Sequence, residues 1–118
     1  MILVENSFIQ TKTNSTSMTI QFNDPYLKAL FENNDNLGKP KYSSDVVKKY
    51  IKTVILISLA ESILDLYRFK GLHFEKLSNG LHSVRVDQKY RLEFSIEKDR
   101  IEIKNIILIE ALSNHYGD

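Results

Sequence analysis

His82-Ser83-Val84-Arg85-Val86-Asp87-Gln88-Lys89-Tyr90-Arg91-Leu92-Glu93-Phe94-Ser95-Ile96 decides the fold, because apolar and polar side chains alternate on both sides of a short polar joint. Before the joint, Val84 and Val86 alternate with Ser83, Arg85 and Asp87. After it, Tyr90, Leu92, Phe94 and Ile96 alternate with Arg91, Glu93 and Ser95. A period of two puts successive side chains on opposite faces of a strand, and the joint Asp87 to Lys89 suits a hairpin connection. The stretch predicts two antiparallel strands with an apolar face toward a core and Arg85 and Arg91 together on the other face. Two guanidiniums held on a rigid sheet can clamp a phosphate through forked hydrogen bonds. The same arginines can instead pair across the strands with Asp87 and Glu93.

Outward from the hairpin, the period of two continues. It predicts strands at Leu72 to Leu77 and Ile101 to Ile109, with joints at Ser78-Asn79-Gly80 and Glu97 to Arg100. Upstream the period becomes helical. Ser43 or Ser44 caps a helix whose Val46, Val47, Tyr50, Ile51, Val54, Ile55 and Ser58 recur at the spacing of one buried face, with Lys48, Lys49 and Lys52 on the other. A short helical segment from about Glu61 to Phe69 is expected to turn Ile63, Leu64 and Tyr67 inward, and Gly71 ends it. Asp24-Pro25 is a helix start ahead of Leu27, Leu30 and Phe31, since Asp can accept from free N–H groups and Pro has none to lose. Met18 to Phe22 reads as the first strand. The polar run Thr11 to Ser17 has no periodicity, so residues 1–17 are expected to be a tail and 18–118 the domain. The plan is α+β, helices first and then an antiparallel meander.

The chain has 118 residues, enough for one domain with one core. It contains no Cys, which excludes a disulfide framework, a thiolate zinc site and a cysteine nucleophile. No run approaches the roughly 20 apolar residues of a membrane helix, and the start has no basic n-region, so the cytoplasm is the expected compartment. The net charge of +1 hides an uneven distribution. Residues 39–91 hold eleven Lys and Arg against five acids, while both ends are net acidic. A basic middle can face phosphates, or it can be a solvated helix face.

Neither a glycine-rich phosphate loop, a G-x-S-x-G elbow nor an H-E-x-x-H helix occurs. The three histidines, His73, His82 and His115, have no metal-ligand spacing, so no metal and no cofactor is expected. A histidine near arginines suits metal-free RNA cleavage, in which one group deprotonates a 2′-OH, another protonates the 5′-oxygen, and cations hold the phosphorane charge. His82 alternates with Val84 and Val86 and belongs to the core face. His115-Tyr116 lies beyond the last apolar run. The six tyrosines could stack on bases, although most fall at core positions.

The run Gly71-Leu72-His73-Phe74-Glu75-Lys76-Leu77, followed by Gly80 to Phe94, resembles the HigB branch of the RelE/ParE toxin superfamily. That branch has a His a few residues before a turn, an S-V-x-V strand and an aromatic-Arg-apolar-x-Phe strand. The resemblance covers about residues 18 to 116. It implies a RelE/ParE-like fold and a toxin of a type II toxin–antitoxin system that cleaves mRNA on the translating ribosome. It further implies a helix-turn-helix, HigA-like antitoxin, with operator DNA bound only through the toxin–antitoxin complex. Carried over by residue, it names His73, Arg85, Arg91, His115 and Tyr116 as catalytic. Here Leu112-Ser113-Asn114-His115-Tyr116 reverses the family's Asp-Tyr-His order and has no adjacent Asp, so the general base is left open. RNA docking is expected at Lys48, Lys49, Lys52, Lys76 and Lys89. Two other outcomes fit the same scaffold: a ParE-like, non-enzymatic block of DNA gyrase, and an inactive toxin that only binds its antitoxin.

Overall fold

A computed structural model of the chain describes residues 18–33, 38–99, 101 and 104–114. The elements run β1 (Met18–Phe22), α1 (Pro25–Asn33), α2 (Ser44–Leu59), α3 (Ile63–Arg68), β2 (Glu75–Lys76), β3 (His82–Arg85), β4 (Tyr90–Asp99) and β5 (Lys104–Asn114). One five-stranded sheet has the order β1-β5-β4-β3-β2. The β2–β3, β3–β4 and β4–β5 pairs are antiparallel, as the alternation predicts. β1 adds in parallel to β5, so the meander is closed on one side by the N-terminal strand.

Local chemistry sets the boundaries. The Leu27 amide donates to Asp24 Oδ1 at 3.0 Å, and the Val46 amide donates to Ser43 Oγ at 3.2 Å; each side chain satisfies a donor that the first helical turn leaves free. Asp87 Oδ1 accepts from the Lys89 and Tyr90 amides at 2.8 and 2.7 Å, which closes the turn between β3 and β4.

Val46, Val47, Tyr50, Val54 and Ile57 of α2 pack with Leu27 and Leu30 of α1 onto Val84, Leu92, Phe94, Ile107, Ile109 and Leu112 of the sheet. The Tyr50 hydroxyl donates to the Leu27 carbonyl at 2.7 Å, pinning α2 to α1 inside this core. Burial pushes the pKa of that hydroxyl well above its ordinary value and keeps it a donor.

Several expectations are corrected. On α2, Ile55 is 45% exposed and Thr53 and Ile57 face inward. On α3 only Leu66 is buried, whereas Leu64 and Tyr67 are 61% and 63% exposed. The helix is a single short turn and a half, and one residue suffices to anchor it. The strand expected at Leu72 to Leu77 shrinks to Glu75–Lys76, because Gly71 and His73 both have positive φ and bend the approach. β4 runs on to Asp99 through most of the expected joint, and β5 starts at Lys104 and ends at Asn114.

A bulge explains that last extension. Glu93 pairs with Ala111 but Phe94 pairs with Ile109, so Glu110 is the extra residue. It shifts the parity of β5, so that Ile107, Ile109 and Leu112 all reach the core. Asn23 Nδ2 holds the bulge from the side by donating to the Glu110 carboxylate at 3.1 and 3.3 Å.

Candidate functional site

The face of the sheet turned away from the helices carries the polar set. Arg85 stands opposite Arg91, Ser83 opposite Glu93, and Glu75 opposite Ser83. On the other side of β4, Ser113 stands opposite Arg91 and Ala111 opposite Glu93. Directly opposed residues project to the same face. Arg85 and Arg91 therefore share it, as the alternation predicts, with Glu75, Ser83, Glu93 and Ser113 around them.

Their partners differ from those expected. Arg91 is only 5% exposed. Its Nε donates to Ser83 Oγ at 2.9 Å, its Nη2 donates to the His73 carbonyl at 2.6 Å, and Nη2 lies 3.2 Å from Glu75 Oε2. The ion pair reaches across β3 to Glu75 on the edge strand β2 rather than to Asp87 or Glu93. Arg85 makes no ion pair among the described residues, and its amide donates to the Leu72 carbonyl at 2.6 Å. Glu93 accepts from Ser113 Oγ at 2.8 Å.

His73 enters through its backbone. Its φ of 48° lies in the left-handed region, where non-glycine residues are uncommon and histidine is among the enriched types. The conformation presents its carbonyl to Arg91 while the residue stays exposed.

The other candidates are dispersed. Lys89 lies exposed at the β3–β4 turn, next to the Arg85–Arg91 pair along the chain. Lys76 is opposite His82 and so belongs to the other face of the sheet. Lys48, Lys49 and Lys52 are exposed on α2, whose buried residues cover the core face, so the sheet separates them from the two arginines. Lys49 is also within 3.4 Å of Asp45. His115 and Tyr116 lie outside the described residues, as does the tail expected at residues 1–17. The last described residue of β5, Asn114, stands opposite Tyr90, one position beyond the Arg91–Ser113 pair.

His82 belongs to the core face, as expected from its alternation with Val84. Its ring packs near-parallel to Phe74 and Phe94, with centroids 5.4 and 6.3 Å away, and the two phenyl rings also touch each other at 6.1 Å. Its Nδ1 is shut off from solvent with no hydrogen-bond partner among the described residues. Burial first, and Lys76 second, lower its proton affinity. Among the tyrosines, Tyr26 and Tyr50 are core residues, and Tyr42 donates to the Leu112 carbonyl at 3.0 Å.

Sequence reasoning put Ser83 and Glu93 on the polar face with the two arginines and missed Glu75 and Ser113. Ser83 and Glu93 were readable from the parity that pairs Arg85 with Arg91. Glu75 was not, because its approach depends on the bend at Gly71 and His73. Among the described residues, no three His, Cys, Asp or Glu side chains converge where a metal ion could be held. No helix among them is long and apolar enough to cross a membrane.

A family model described as the RelE-like toxin of type II toxin–antitoxin system HigB matches residues 20–108, which takes in the sheet from β1 into β5 and all three helices. No curated protein matches the chain. With three helices on a mostly antiparallel five-stranded sheet among the described residues, and a match over most of its length, the chain belongs to the HigB-like family of RelE-like toxins of type II toxin–antitoxin systems.

Proposed function

We propose that this toxin is an endoribonuclease that cuts mRNA on the translating ribosome in the cytoplasm and is neutralised by a HigA-like helix-turn-helix antitoxin. The observation that carries the reading is the opposition of Arg85 and Arg91 across β3 and β4, with the His73 loop tied to Arg91. Arg85 is the guanidinium available to a scissile phosphate. Arg91 is largely occupied, and its role is to hold His73 and the β2 edge against the sheet. A phosphorane formed beside Arg85 would have its extra negative charge met by a preorganised cation.

His73 and His115 supply the proton-transfer groups of this reading, and Tyr116 a stacking surface. Lys89 adds positive charge at the same end of the hairpin. Lys48, Lys49, Lys52 and Lys76 are then contacts to more distant ribosomal or messenger phosphates rather than to the cleaved linkage. Operator DNA is bound only through the antitoxin in this scheme.

The test is to map mRNA 5′ ends in a translating extract with the wild type, Arg85→Ala and His115→Ala. Cleavage that the wild type makes at codons should fall at least about 100-fold in Arg85→Ala, the scale of losing one charge-stabilising group. Intact mRNA with the wild type, accompanied by DNA breaks, would move the reading to the gyrase-blocking alternative.

A further inference from the structure

Four charged side chains surround the centre of the outer face, and they do not pair symmetrically. Glu75 and Arg91 bind each other at 3.2 Å. Arg85 and Glu93 make no ion pair among the described residues. They are nevertheless diagonal neighbours: Arg85 opposes Arg91, and Glu93 is two residues further along β4 on the same face. Diagonal positions of an antiparallel pair stand roughly 7 Å apart. The Arg91 side chain crosses between them to reach Ser83 Oγ at 2.9 Å, so the Glu93 carboxylate and Arg85 flank a third, buried charge on one face.

Glu93 is also oriented. Ser113 Oγ donates to its Oε2 at 2.8 Å, while Oε1 makes no hydrogen bond to a described residue. One oxygen is anchored to β5, and the other is open to the face that Arg85 shares. Glu93 is half-buried and lies beside the bulge at Glu110, which fixes the local register of β4 on β5.

From this arrangement we infer that Glu93 is the general base of the cleavage reaction, a role that rests on the ribonuclease reading above. With a phosphodiester against Arg85, the adjoining ribose lies over Glu93. Oε1 takes the 2′-OH proton as the 2′-oxygen bonds to phosphorus. The P–O5′ bond breaks, and the leaving 5′-oxygen takes a proton from a histidine of the site, leaving a 2′,3′-cyclic phosphate and a 5′-OH. Glu93 gains one proton and the histidine loses one, and exchange with water restores both. The assignment frees the histidines for the acid role.

The test uses the full chain on ribosomes programmed with a defined mRNA, under single-turnover conditions. Glu93→Gln keeps an acceptor for Ser113 and removes the basicity, so the rate should fall at least about 100-fold with thermal stability and ribosome binding unchanged. The acid-side limb of the pH–rate profile should disappear in the variant. Ser113→Ala breaks the same hydrogen bond but keeps the carboxylate, and it should cleave within about tenfold of the wild type. Glu93→Gln cleaving within about threefold of the wild type overturns the assignment while the ribonuclease reading stands. Ser113→Ala reproducing the full loss also overturns it, because the hydrogen bond and not the base would then matter. A wild type that leaves the mRNA intact removes both.

Discussion

Arg91 donates a 2.6 Å hydrogen bond to the backbone carbonyl of His73, so a side chain on β4 fixes the conformation of the loop ahead of β2. The same guanidinium binds Ser83 on β3 and Glu75 on β2. Three segments are held by one planar group with its donors in a fixed fork, a task for which Lys has the charge but not the geometry. An arginine that sequence spacing marks for phosphate contact is thereby the keystone of the surface on which contact would occur.

Arg91→Ala should therefore destabilise the fold by about 3 kcal/mol, since it leaves a buried Ser83 and a backbone carbonyl without their charge-assisted partner. Arg91→Lys should recover less than half of this. Urea denaturation of the two variants measures both, and a loss below about 1 kcal/mol in Arg91→Ala would show that the loop is held by other means.

The backbone and the imidazole of His73 can be separated. At φ 48° a glycine is free of the steric cost that any other side chain meets. His73→Gly should be as stable as the wild type or up to about 1 kcal/mol more stable, whereas His73→Ala should be no more stable. Any loss of mRNA cleavage in the well-folded His73→Gly then reports the imidazole. A His73→Gly chain that melts lower than His73→Ala would refute the conformational argument.

The hairpin is legible because β3 and β4 each keep one parity from end to end, so the period of two alone places Arg85 and Arg91 on one face. β5 was readable only to Ile109, because the bulge at Glu110 moves Leu112 out of the period of two. The orientation of α3 was not readable. Ile63, Leu64, Leu66 and Tyr67 all offer apolar surface in a helix of six residues, and tertiary packing chooses Leu66. The route of the β2 approach depends on positive φ at His73, which sequence alone does not mark, and Glu75 reaches Arg91 only because of it.

Tyr50 offers a test of how α2 is fixed to α1. Its buried hydroxyl donates to the Leu27 carbonyl at 2.7 Å, and burial keeps it protonated. Tyr50→Phe preserves the ring volume and removes one buried hydrogen bond, so it should cost about 1 to 2 kcal/mol in urea denaturation. Because the hydroxyl lies within the helix layer, cleavage by the folded variant should be unchanged. A cost below about 0.3 kcal/mol would mean that packing alone sets the angle between the helices.

His82 makes stability depend on pH. Burial, with Lys76 as the smaller cause, holds the folded imidazole neutral to lower pH than a free one. Between about pH 6.5 and that lower value the unfolded chain binds a proton that the folded chain does not, so stability is full above about pH 6.5, falls as the pH drops, and levels off below the folded value. His82→Phe keeps a ring against Phe74 and Phe94, removes the proton site and removes the unpartnered Nδ1. Urea midpoints of the variant at pH 7.5 and pH 5.0 should lie closer together than those of the wild type, with most of the difference at the acid end. An unchanged gap would assign the acid sensitivity to carboxylates elsewhere on the sheet.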